Sequence, residues 1–142
     1  MSHVNPSEAN FRAFKDLPRD TPIQMLNLVR FRSKAEYPEG HELHGKGWTG
    51  DEAYAEYGRA SGPIFARVGG KIVWRGRHET VVTGPDDEHW DAAFIAEYPD
   101  AGAFFEMIKD PDYQEAVVNR TAAVEDSRLI RFGKIEGGEG FA

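Results

Sequence analysis

WDAAFIAEYPDAGAFFEMIKDPDYQEAVVNRTAAVEDSRLIRF, residues 90–132, is the stretch whose reading decides the fold. Ala92, Phe94, Ala96 and Tyr98 alternate with Ala93, Ile95 and Glu97, so residues 91–98 have the period of a strand with at least one buried face. Pro99 has no N–H to give to a ladder and stops it. Asp100 caps a short helix carrying Phe104, Phe105, Met107 and Ile108. Asp110-Pro111-Asp112 breaks that helix and starts another, with Asp110 as N-cap and Pro111 at the first helical position. Tyr113, Ala116, Val117, Arg120, Ala123 and Val124 follow at helical spacing, and residues 127–132 return as a strand. The unit reads strand, broken helix, strand.

The residues before it supply the other half of the same pattern. Asn5-Pro6-Ser7-Glu8 has the spacing of a capping box with proline at the first helical position, which predicts a helix over 5–17. Phe11 and Phe14 give that helix a narrow apolar stripe, and it acts as a lid or brace outside the main sheet. Residues 22–32 form the first central strand. Ile23, Met25, Val29 and Phe31 share one face with Asn27, while Leu26 and Leu28 take the other. Both faces are apolar, so both are expected to be covered.

Residues 33–48 are a long loop with three glycines and two histidines. Loops of this length in compact domains are usually functional or mobile. Thr49-Gly50-Asp51-Glu52 is a second capping box, opening a helix with Ala53, Tyr54, Tyr57, Ala60, Ile64, Phe65 and Val68 on one face. Pro63 should bend it, and Gly69-Gly70 closes it. A strand is expected over 71–83 with a bulge or bend at Gly76, and then an acidic hairpin turn over 84–88. Residues 133–142, with four glycines, form a flexible tail.

The order β-α-β-β-α-β gives an α+β, ferredoxin-like core over 22–132: an antiparallel four-stranded sheet with helices on one face. The opposite face would be bare. Two such sheets packed face to face in a symmetric homodimer would cover it.

Five stretches of the chain carry a family resemblance: PIQMLNLVRF from Pro22, GGKIVW from Gly69, WDAAFIAEYP from Trp90, MIKDPDYQ from Met107 and RTAAVEDSRLI from Arg120. Over residues 22–132 the chain resembles the domain-of-unknown-function family 1330, within the dimeric α/β-barrel superfamily. That resemblance implies a ferredoxin-like protomer and a dimer whose sheets form a barrel. It implies no catalytic residues.

Bulk properties narrow the function. The chain has 142 residues, enough for a single domain over 1–142 with its own core. Cysteine is absent, which removes disulfides, thiolate metal sites and cysteine nucleophiles. Seventeen basic against twenty-four acidic residues give a net charge of −7, which repels phosphate backbones and argues against nucleic acid as a partner. No apolar run approaches the length of a membrane span, and residues 1–4 open no signal peptide. A cytoplasmic location is expected.

The candidate site residues are Asn27, Tyr57, Trp74, His78 and Arg120. An asparagine amid apolar strand residues either satisfies a local irregularity or orients a ligand. Trp74 is core, interface or pocket wall, and His78 is a strand-end residue or a general base. Arg120 takes an apolar position on the stripe Tyr113, Val117, Arg120, Val124. It either snorkels or pairs with a carboxylate, Glu97 or Asp126, or with an anionic ligand. His41-x-x-His44 lies among glycines with no third ligand of fixed geometry, so no metal site is expected. The helix after Pro111 has no histidine to hold haem. No cofactor is expected, and the catalytic residues stay unknown. These features fit a dimer binding a small organic molecule between sheet and helices, with monooxygenase- or isomerase-like chemistry that needs no cofactor. A non-catalytic ligand-binding or stress-related dimer is the alternative.

Overall fold

A computed structural model describes residues 2–141; Met1 and Ala142, included in the single domain expected over 1–142, lie outside the described residues. The described elements run α1 (Glu8–Lys15), β1 (Ile23–Phe31), α2 (Gly50–Arg67), β2 (Lys71–Gly76), β3 (Ala92–Tyr98), α3 (Ala101–Lys109), α4 (Pro111–Ala123) and β4 (Val124–Gly133). The strands form one sheet in the order β2-β3-β1-β4 with every neighbouring pair antiparallel. Helical crossovers join β1 to β2 and β3 to β4, which is the ferredoxin-like arrangement. No described helix is long and apolar enough to cross a membrane.

Local chemistry sets most element boundaries. Asp100 accepts from the backbone N–H of Ala103 and Asp110 from that of Asp112, so the two caps fall where the sequence puts them. Thr49 and Glu52 complete a reciprocal capping box at the start of α2. Gly69 ends the same helix with φ of +90°, a conformation that costs other residues dearly. Pro63 lies inside α2.

Helices pack on one face of the sheet. Ile23, Met25 and Val29 of β1 are 0%, 3% and 0% exposed, and Ala96 and Tyr98 of β3 join them on that face. Ile64, Val68, Phe105, Met107 and Tyr113 cover this layer from the helices. Phe11 and Phe14 of α1 pack edge-on against Phe105 and Phe104, so α1 braces α3 rather than extending the sheet. Arg131 of β4 ties it down by donating to the Pro18 carbonyl at 2.7 Å.

The other face carries no helix. Leu26 is registered with Ile95 on one side and Ile130 on the other, and Ile95 with Trp74, so one apolar row crosses all four strands. Trp74 is 50% exposed and Ile130 43%, and Phe132 beside them is 50% exposed. Within the protomer no helix covers the Leu26 row; the segment after β2 reaches only the end of this face, where Arg30 donates to the His89 carbonyl at 3.2 Å and Arg128 lies 5.5 Å from the Trp90 ring.

Three boundaries differ from the sequence reading. Ser7, not Asn5, caps α1, because its hydroxyl is the group that reaches Asn10 N–H; Pro6 precedes the cap. β2 ends at Gly76 instead of running to Thr83, and the register shift lies between Ile72 and Trp74. Gly76 is instead a close-approach position, since a Cβ there would meet the Trp74 ring at 2.6 Å. β4 begins at Val124, three residues earlier than read, directly off the end of α4. The 33–48 loop is also fastened down. Arg32 and Glu36 N–H donate to the carbonyls of Ala123 and Ala122 at 2.8 and 2.9 Å, and Tyr37 is buried with its hydroxyl 2.6 Å from Asn119.

Candidate functional site

The floor of the candidate site is the central row of the helix-covered face, where Asn27 is flanked by Phe94 of β3 and Leu129 of β4. Asn27 falls on this face because strand parity puts it with Met25 and Val29. Its amide donates to the Met25 carbonyl at 3.1 Å, which leaves its oxygen and one N–H uncommitted. Above it, α2 presents Tyr54 and Tyr57, three residues apart on one helical face. From α4 come Tyr113, Val117 and Arg120, the i, i+4, i+7 stripe that begins just after the Asp110-Pro111 start.

The tyrosines form a chain of rings. Phe31 and Tyr54 have centroids 5.0 Å apart, Tyr54 and Tyr57 5.4 Å, and Tyr57 and Tyr113 6.1 Å. The hydroxyls of Tyr57 and Tyr113 are 2.8 Å apart, so they share one proton in a hydrogen bond and keep a second to offer. Burial pushes the phenols of Tyr54 and Tyr113 up from their ordinary value, and Tyr57 adds to the effect while Arg120 opposes it. Both phenols are neutral donors at physiological pH.

Arg120 donates to the Val4 carbonyl at 2.7 Å and to the Ser127 hydroxyl at 3.3 Å. Ser127 in turn donates to the His3 carbonyl at 2.7 Å, so residues 3–4 form a strap across the α4–β4 junction. Neither carboxylate expected to pair with Arg120 does so. Glu97 lies on the opposite sheet face and accepts from Gln24 at 2.9 Å. Asp126 accepts from His3 N–H at 2.8 Å and pairs with Arg128 at 2.9 Å. Among the described residues no carboxylate is within ion-pairing distance of Arg120.

Three of the five sequence candidates, Asn27, Tyr57 and Arg120, thus lie in the layer between sheet and helices. Trp74 does not: the register shift in β2 turns it onto the open face, opposite Ile95. His78 lies beyond the end of β2, its ring centroid 4.8 Å from that of His89 with the planes tilted by 52°, and His89 contacts Asp91 at 3.0 Å. The parity that would have put Trp74 and His78 together holds only inside an unbroken strand. Tyr54 and Tyr113 belong to the site as well. Their helical spacing marked them, but the same spacing describes core aromatics. Ser127 and the 3–4 strap had no local signal.

The two loop histidines engage their own loop. His41 Nδ1 accepts from Leu43 N–H at 3.0 Å, and His44 Nδ1 lies 2.8 Å from the Tyr37 carbonyl. No group of three potential metal ligands occurs among the described residues.

Residues 47–133 match the model of a family described as a domain of unknown function, DUF1330. No curated protein matches the chain. A crystal structure of a protein of unknown function from Rhodopseudomonas palustris is similar at 53% identity and a TM-score of 0.89, over 96% of this chain and 100% of that one. SnoaB, a cofactor-independent oxygenase from Streptomyces nogalater, is similar at 15% identity and a TM-score of 0.52, over 82% of this chain and 96% of its own. The second likeness is one of fold.

Proposed function

We propose that this chain, which belongs to the DUF1330 family of domains of unknown function, is a homodimeric protein that takes a small organic molecule into the layer between its sheet and its helices. The observation that carries this reading is the set of half-buried polar side chains in that layer: Asn27, Tyr54, Tyr57 and Arg120. Polar groups between packed layers cost stability unless they are fully partnered. Here they keep donors to spare and stay within reach of solvent, where a ligand would meet them.

Chemistry in this layer would be cofactor-independent, of the class the oxygenase SnoaB represents in the same fold; that parallel is one of fold and supplies no residue roles. The phenols and the guanidinium would stabilise negative charge on a bound substrate. Incubating the purified protein in air with a panel of small aromatic and quinone substrates, and following product by chromatography, tests turnover. Native mass spectrometry of protein taken directly from cells tests occupancy. Neither product nor a co-purifying or titratable ligand would refute the reading.

The homodimer rests on the open face. The Trp74–Ile95–Leu26–Ile130 row is a continuous apolar strip of the kind that monomeric proteins avoid exposing, and a second copy packed across it by a two-fold axis would bury it. Sedimentation equilibrium at micromolar concentration should report twice the protomer mass; a monomer would refute it.

A further inference from the structure

The protein carries a surplus of acid, with a net charge of −7, yet a half-buried guanidinium between α4 and the sheet is left with two neutral oxygens as partners. An arginine cannot shed its charge, so in a partly desolvated place it ordinarily draws in a carboxylate. The two acids in reach by sequence are engaged elsewhere, Glu97 by Gln24 and Asp126 by Arg128 and His3 N–H. Three of the five N–H groups of Arg120 remain to be used.

The neighbours point the same way. Besides the neighbouring phenols, which push them up, Tyr54 feels Arg120 and Arg75, and Tyr113 feels Arg120. Tyr57 and Tyr113 hold a proton beyond the one they share. The layer is therefore rich in donors and carries a positive charge with no carboxylate paired to it. Its aromatic rings are Phe31, Tyr54, Tyr57, Tyr113 and, in the floor row, Phe94.

We propose that the ligand of this site is a small, flat organic anion, an aromatic carboxylate or an acidic phenol or enol, whose oxyanion is held by Arg120 together with the tyrosine hydroxyls and whose body lies against the rings. This deepens the reading of the layer as a ligand site and rests on it. One guanidinium with neutral phenols matches a single delocalised negative charge. The charge-assisted hydrogen bonds provide the preference for anion over neutral molecule, and the rings select for a planar body.

The test is an NMR titration of the intact protein with benzoate and, separately, with benzamide, which has nearly the same shape and no charge. Benzoate should bind about ten- to a hundredfold more tightly, the factor that charge-assisted hydrogen bonds supply. The Arg120 Nε–H resonance should move with benzoate and stay in place with benzamide. Arg120→Gln should bring the two affinities together. That resonance is read on the unaltered chain, so the outcome does not depend on the variant folding. Equal binding of both probes, with shifts around Tyr57 and Tyr113, would overturn the anion preference and leave the ligand site standing. Binding of neither probe would overturn both.

Discussion

The two faces of the sheet use the same strand and nearly the same residue types, and they have opposite fates. On the helix-covered face Ile23, Met25 and Val29 are shut away, yet polar Asn27 sits among them with a tyrosine-and-arginine layer above. On the open face Leu26, Ile95, Ile130 and Trp74 stand in an uninterrupted apolar row with solvent beside them. A polar cluster lies within the apolar interior and an apolar row lies outside, both against the ordinary tendency. That difference is what carries the proposals of a partner for the apolar outer face and a ligand for the polar inner layer. Stability alone calls for neither.

The sharpest way to break this comparison is a charge at adjacent positions of β1. Met25→Asp puts an unpaired carboxylate into the core, and several kcal/mol lost from a total of about 5–15 should leave little folded protein by circular dichroism. Leu26→Asp, one residue on, should leave a folded chain that sediments as a monomer. If Leu26→Asp unfolds as thoroughly, the open face is not open. If it remains dimeric, that face is not the interface.

An alkaline limb should come next in size, and it belongs to the covered face. Burial raises the Tyr98 and Tyr113 phenols, with Tyr57 adding to the effect. An unfolded tyrosine ionises near pH ~10, so above that the unfolded state loses protons that the folded state keeps. Stability is thus full below pH ~10 and falls as pH rises beyond it. Urea melts across that range should show the fall, and Tyr113→Phe should lessen it. A flat profile would mean these phenols are not buried as described.

Smaller effects should come from the ends of the elements. Asp110→Ala removes the cap of α4 and the partner of Arg67, and about 1–2 kcal/mol should be lost in thermal or urea melts. Asp100→Ala at the start of α3 should cost about 1 kcal/mol. The smallest effect concerns the strap over the site. Burial pushes the Asp126 carboxyl up, but hydrogen bonds from His3 N–H, Arg128 and Ser127 N–H outweigh it and hold it below the ordinary carboxylate value. Its stabilisation is therefore present at neutral pH and lost as pH falls below about 4. The His3 amide should exchange faster with solvent there, and Asp126→Asn should remove the pH dependence. Unchanged exchange would show that the strap does not depend on this carboxylate.

Much of this was legible in residues that act on their near neighbours. Asp100, Thr49 and Asp110 cap the helices they were expected to cap, and Pro99 follows the last residue of β3. Near misses came where two local signals competed. Asn5 and Ser7 are both good caps, and only the position of the helix decides which hydroxyl or amide reaches an N–H. Trp74 and His78 were misplaced because one register shift reverses the faces of everything after it, and an apolar run does not announce where its ladder ends. The long loop was expected to be functional or mobile. The structure anchors it through Tyr37 to Asn119, a partner 82 residues away.

By itself the sequence determined the order and kind of the elements and the ferredoxin-like topology that follows from it. It did so because caps, proline breaks and the periods of strand and helix are interactions over a few residues. Only the tertiary structure decided which face of β1 the helices cover, since Ile23–Met25 and Leu26–Leu28 are equally apolar and periodicity is blind to which side the crossovers land on. It also decided the partners of Arg120. Its ties to Val4 and Ser127 join residues 116 and 7 positions away, and the acids a reader would have given it are turned to other partners by sheet parity. Whether a buried charge is neutralised depends on where the rest of the chain puts its opposite charges, and spacing along one helix cannot say that.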